Sequence, residues 1–237
     1  MKSWLPVAFA TLLAAPTSTP AISEDLVAPE AGVALAEKLL AAMGGREAWA
    51  GVTYVHVEAR HDDLEIPRPF VNRIWNDFSK PRVRFWAGND DFTSSRQIRD
   101  GEGIRESGPQ AGTRLTAEQY ESDRGWWEAN VYRTFHRMAK RDATLAYRAA
   151  GPARLEVMNP DGSVLNWFVL NRKGEPMLFG SGKDTLGTTF GPLASAGGVK
   201  YPKWGARADG SWRYEVLDFV AASEVPKDAF TTSPLSR

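Results

Sequence analysis

The stretch VTYVHVEAR, Val52 to Arg60, alternates strictly. Thr53, Val55, Val57 and Ala59 share one side of an extended chain, and Tyr54, His56, Glu58 and Arg60 share the other. A period of two with one apolar and one mixed side is the signature of a strand buried on one face. Just upstream the period is helical. Pro29 stands where a helix can begin without losing a needed N–H, Val33, Ala36, Leu40 and Met43 follow at helical spacing, and Gly44-Gly45 ends the run. Trp49 and Val52 then lead into the strand, so the plan opens with one helix and passes into a sheet.

Downstream the alternation persists. FVNRIWNDF (Phe70 to Phe78) and RVRFW (Arg82 to Trp86) flank the turn Ser79-Lys80-Pro81 and read as antiparallel neighbours. Further strands are expected at 95–99, 103–107, 154–158, 164–170, 176–179 and 212–220. NPDG (Asn159 to Gly162) reads as a hairpin turn with Gly162 in the left-handed position. NRKGE (Asn171 to Glu175) and ADGS (Ala208 to Ser211) mark two more turns. FGPLASAGGVKYPKWG (Phe190 to Gly205) reads either as a long functional loop or as a plain connection.

TAEQ (Thr116 to Gln119) matches a capping box, and the spacing predicts one helix from there to about Lys140, with a weak point at Gly125. Tyr120, Trp127, Val131, Phe135 and Met138 form its apolar stripe. His136, Arg133 and Arg137 are expected on the solvated face. Trp126 lies off the stripe, either capping the sheet or lining a ligand site.

Composition removes several chemistries. Lys and Arg total 29 against 29 Asp and Glu, so the chain lacks the basic excess on which nucleic-acid binding relies, and no nucleic-acid partner is expected. Cysteine is absent, which excludes disulfides, thiol nucleophiles and thiolate metal sites. His61-Asp62-Asp63 point in different directions on a strand and have no second cluster to complete a metal site. GSGKDT (Gly180 to Thr185) is similar to the end of a phosphate loop, but Met177 replaces its first glycine and Asp184 stands where a magnesium-binding hydroxyl belongs. It reads as a turn. Neither a nucleophile elbow nor a zinc-protease signature is present. No cofactor, metal or catalytic residue is expected.

MKSWLPVAFATLLAAPTSTPA begins with one positive charge and an apolar run from Trp4 to Ala15, with small residues at Thr19 and Ala21. It reads as a cleaved export signal over 1–21. The remaining chain, 22–237, is expected to be one periplasmic domain without a transmembrane segment.

Two segments carry a family resemblance. The early helix ending in GGREAW (Gly44 to Trp49), and the tail YPKWGARADGSWRYEVLDFVAASEVPKDAF (Tyr201 to Phe230), whose strand, Gly turn, strand and closing VPKDAF follow one another in order, resemble the periplasmic LolA-like lipoprotein carriers. The central segment from Trp126 to Arg141 departs from that pattern, as does 190–198. The resemblance implies an α+β fold: a strongly curved antiparallel sheet forming an open half-barrel covered by helices. It also implies a binding protein for an apolar or acylated molecule, without catalysis. The aromatic residues expected to line such a site are Trp75, Trp86, Trp126, Trp127, Phe190 and Trp204. Two other readings stand beside this one: a module that docks another envelope protein through Trp126, Trp204 and the 190–205 segment, and a hydrolase-like enzyme with a polar cleft.

Overall fold

Helix α1 (Pro29–Ala42) lays Ala36, Leu39 and Leu40 into the core. Gly32 lets it approach the strand that carries Tyr147 so closely that a Cβ there would meet the Tyr147 carbonyl oxygen at 2.4 Å. Gly44 and Gly45 both take positive φ, 113° and 97°, and turn the chain into the short helix α2 (Arg46–Gly51), which periodicity alone does not reveal. The computed structural model describes residues 29–99, 101–108, 110–182 and 184–231; the export signal expected at 1–21 lies outside the described residues.

The alternating stretch becomes strand β1 (Tyr54–Asp63), followed by β2 (Phe70–Asp77), β3 (Arg82–Gly88), β4 (Thr93–Arg99) and β5 (Glu102–Arg105). Helices α3 (Ala117–Glu128) and α4 (Val131–Ala139) come next. After them run β6 (Ala146–Ala149), β7 (Arg154–Met158), β8 (Val164–Leu170), β9 (Pro176–Ser181) and β10 (Thr188–Thr189). The last strands are β11 (Leu193–Ala196), β12 (Val199–Pro202), β13 (Trp204–Ala206) and β14 (Trp212–Ala222).

Every pairing among the described residues is antiparallel. Seven strands run in the order β13-β14-β1-β2-β3-β4-β5 and five in the order β10-β9-β8-β7-β6. An isolated bridge from Thr188 to Arg207 joins the two sheets, so their strands follow one another around a single curve. That curve does not close, because β5 and β6 end the order without pairing to each other. The fold is therefore the expected α+β open half-barrel.

The helices fill its concave side. Leu39, Leu40 and Met43, Trp49 of α2, and Phe135 and Met138 of α4 meet Val55 and Phe219 from the larger sheet. Leu155, Val157 and Phe168 from the smaller sheet complete the same cluster. Phe135 is fully buried, with its ring 5.2 Å from Trp49 and 5.6 Å from Phe168.

Two expectations are corrected. The single helix over 116–140 is two helices, broken at Ala129-Asn130 rather than at Gly125, because the Asn130 side chain accepts hydrogen bonds from the Tyr132 and Arg133 N–H groups and starts α4 afresh. The 190–205 segment is not a long loop. Gly197 and Gly198 take positive φ, 58° and 82°, at the tip of the β11–β12 hairpin, whose register pairs Ala196 with Val199.

Candidate functional site

Strand parity decides what the concave side offers. Val57, Ala59 and His61 on β1 stand opposite Ile74, Asn72 and Phe70 on β2, and these side chains face the helices. The other parity, with His56 opposite Trp75 and Glu58 opposite Arg73, faces outward. Between the concave face and the α3–α4 junction lies a cavity of about 500 Å³. Its sheet wall is Val57, Ala59 and His61 of β1, Asn72, Ile74 and Asn76 of β2, Trp212 and Tyr214 of β14, and Phe179 and Ser181 of β9. The roof runs from Gly125 and Trp126 through Ala129 and Asn130 to Tyr132.

That roof is held firmly. Trp127 donates from Nε1 to the Asp77 carbonyl at 2.7 Å, and Arg96 makes a forked pair with Asp123 at 2.8 and 3.0 Å. Fully buried Thr134 donates to Asn166 Oδ1 at 2.6 Å, and the Asn166 amide in turn donates to the Ala129 carbonyl at 2.9 Å. The helix break is thereby tied to β2, β4 and β8 at once, which fixes the cavity's height.

Among the described residues, no Asp, Glu, Lys or Arg lines the cavity. Its titratable groups are pushed towards their neutral forms. His61 stacks against Phe70, Tyr214 and Trp212, with centroids 5.2, 5.7 and 6.4 Å away. Burial lowers its pKa from 6.5 to about 4, against the opposing pull of Asp63 and Asp62. Burial likewise raises the hydroxyl pKa values of Tyr132 and Tyr214. Asp62 itself pairs with Arg213 at 3.0 Å and stays outside the cavity lining.

Of the six aromatic residues expected to form a site, Trp126 lines this cavity. It is 39% exposed and meets Phe85 edge-on at 4.9 Å. Trp75 and Trp86 are on the opposite face. Arg84 stacks on Trp75 at 5.2 Å and Arg73 on Trp86 at 4.7 Å, while Tyr54, Ala229 and Phe230 cover Trp75. Trp127 packs with Val83, Ile98 and Leu115. Phe190 is in the main core, edge-on to Phe179 at 4.8 Å. Trp204, 45% exposed, borders a separate depression among Arg60, Asp62, Arg213 and Glu215.

The expected solvated face of the second helix is also corrected. His136 is half-buried, with Nδ1 3.0 Å from the Trp49 carbonyl oxygen, and Arg133 stacks on Trp127 at 3.8 Å. Arg137 donates to Asp142 at 2.7 Å. A lone amphipathic helix would present these residues to water, but α2 meets His136, Trp127 of α3 meets Arg133, and Asp142 in the loop after α4 meets Arg137. Among the described residues no group of three His, Asp or Glu is placed to hold a metal, and GSGKDT turns through an Asp184 N–H to Ser181 carbonyl bond of 3.0 Å.

The residues missed by sequence reasoning are His61, Asn72, Asn76, Trp212, Tyr214 and Tyr132. For the first three a signal existed: carrying the Val55-Val57-Ala59 parity two residues further reaches His61, and antiparallel register then selects Asn72 and Asn76. Trp212 and Tyr214 come from the far end of the chain and are brought beside β1 only by the β1–β14 pairing.

No family model and no curated protein matches the chain. Several solved structures are similar to it, two of which illustrate the match. A domain from Vibrio parahaemolyticus assigned to outer membrane lipoprotein sorting aligns over 86% of this chain and 97% of its own, at 9% identity and a TM-score of 0.37. A DUF1329 family protein from Desulfovibrio piger aligns over 85% and 96%, at 8% identity and a TM-score of 0.35. These values are too low to transfer a role from either protein to this one.

Proposed function

We propose that the chain is a non-catalytic binding protein or carrier of the periplasm that holds an apolar or acylated molecule in the concave cavity. The observation that carries this reading is the uncharged, largely aromatic and aliphatic lining of a space within the size range of small-molecule sites, about 300–1,000 Å³. At roughly 30 Å³ per methylene-sized unit, the share a water molecule takes in the liquid, such a space takes one chain of about 16 units. Withdrawing about 15 methylenes from a membrane requires on the order of 12 kcal/mol of apolar contact, at ~0.8 kcal/mol each. An aromatic wall meets that requirement without any ion pair. No described helix is long and apolar enough to cross a membrane.

The wall assignment is testable with the methyl ester of cis-parinaric acid, an uncharged polyene chain that fluoresces when bound. Trp126→Ala should weaken its binding by about tenfold, the loss of a part-buried aromatic contact. Trp86→Ala, on the outer face, should change it less than twofold. Equal losses in the two variants would remove the cavity from the account.

A further inference from the structure

The cavity wall contains a fully buried side-chain amide with no partner among the described residues. Asn76 sits on the inner face of β2, paired in register with Val55 and Val83, both fully buried. It is 1% exposed, it lines the cavity, and among the described residues neither its Nδ2 nor its Oδ1 has a hydrogen-bond partner. Buried side-chain amides are nearly always paired, because an unpaired donor or acceptor forfeits its hydration without return. Here both ends of one amide are unpaired together.

The contrast with Asn166 is instructive. That residue is also fully buried, yet its Oδ1 accepts from Thr134 and its Nδ2 donates to the Ala129 carbonyl. The buried amides at the helix break, Asn166 and the Asn130 cap, are thus satisfied within the protein, whereas the buried amide of Asn76 in the wall is not.

We infer that the molecule held in the cavity carries an uncharged group that both donates and accepts hydrogen bonds, a carboxamide or a hydroxyl, and that Asn76 receives it. The inference rests on the reading of the cavity as a ligand site. A carboxylate is disfavoured at this position, since it only accepts and no described Lys or Arg lines the cavity to offset its desolvation. A bare hydrocarbon would leave the amide unpaired. A carboxamide presents its carbonyl to Nδ2 and its N–H to Oδ1, while its tail runs along Ile74 and Val57 towards the aromatic cluster at His61.

Decanamide and dodecane, which have equal numbers of heavy atoms, test this when delivered from cyclodextrin and followed by quenching of the intrinsic fluorescence to which Trp126 and Trp212 contribute. The wild-type protein should bind decanamide at least tenfold more tightly than dodecane, and Asn76→Leu, of similar volume, should abolish that preference. Asn76→Ala serves as the second variant if leucine disturbs folding. Equal affinity of the wild type for the two probes, or a preference that survives both substitutions, overturns the role of Asn76 and leaves the cavity reading standing. Failure of both probes to bind the wild type overturns the cavity reading and the inference with it.

Discussion

Replacing Glu106 by alanine should destabilise the protein by about 3–5 kcal/mol, the loss typical when one partner of a buried ion pair is removed. Glu106 follows β5, and its side chain is 7% exposed against 6% for Arg84. The carboxylate accepts from Arg84 Nε at 2.7 Å, from Ser95 Oγ at 2.6 Å and from Gln97 Nε2 at 2.9 Å. Truncation leaves the guanidinium charged and buried over Trp75, with two further donors unpaired. Glu121→Ala, which removes an exposed pair with Arg124, is the control and should cost no more than about 0.5 kcal/mol. Urea unfolding measures both. Similar midpoints for the two variants would mean that the outer face of β3 and β4 is not held by this network.

Acid should destabilise the protein well above the range in which carboxylates titrate, and His61→Phe should remove much of that effect. The folded-state pKa of His61 is lowered from 6.5 to about 4. Between those values the unfolded chain takes up the proton and the folded one does not, so stability falls as pH drops from about 6.5 to about 4 and levels off below. A shift of about 2.5 units corresponds to roughly 3 kcal/mol across that window. Burial lowers His56 and His136 as well, which adds to the same acid limb. Phenylalanine preserves the stacking on Phe70 and Tyr214 and carries no proton. An unchanged slope of unfolding free energy against pH in His61→Phe would contradict the buried, neutral assignment.

The sheet was legible in the sequence because its strands announce themselves locally. Alternation fixed β1, β2 and β3, and NPDG marked the β7–β8 hairpin, in which the Gly162 N–H bonds to the Asn159 carbonyl at 3.0 Å. What local pattern did not reveal was which face is concave. Both faces of β1 and β2 are partly covered: one by α3 and α4, the other by Val225, Ala229 and Phe230 returning from the C-terminal end over Tyr54 and Trp75. Arginine beside tryptophan on β2 and β3 marks the outer face, where Arg73, Arg84 and Arg82 stack on Trp86, Trp75 and Phe230. The most conspicuous aromatics were therefore the least informative about the cavity. Its roof was hidden for a different reason: Asn130 reads as a polar residue in mid-helix until its capping bonds are seen. Short strands such as β10 and β13, of two and three residues, carry too little period to be recognised and exist through pairing with β9 and β14.

The protein, purified without detergent and weighed intact before and after organic extraction, tests the central claim most directly. The cavity predicts a stoichiometric adduct of one apolar molecule, released by extraction and restored on incubation with membrane vesicles. An unmodified mass throughout, unchanged by the vesicles, would contradict it and direct attention to the exposed Trp204 as a surface for docking another protein.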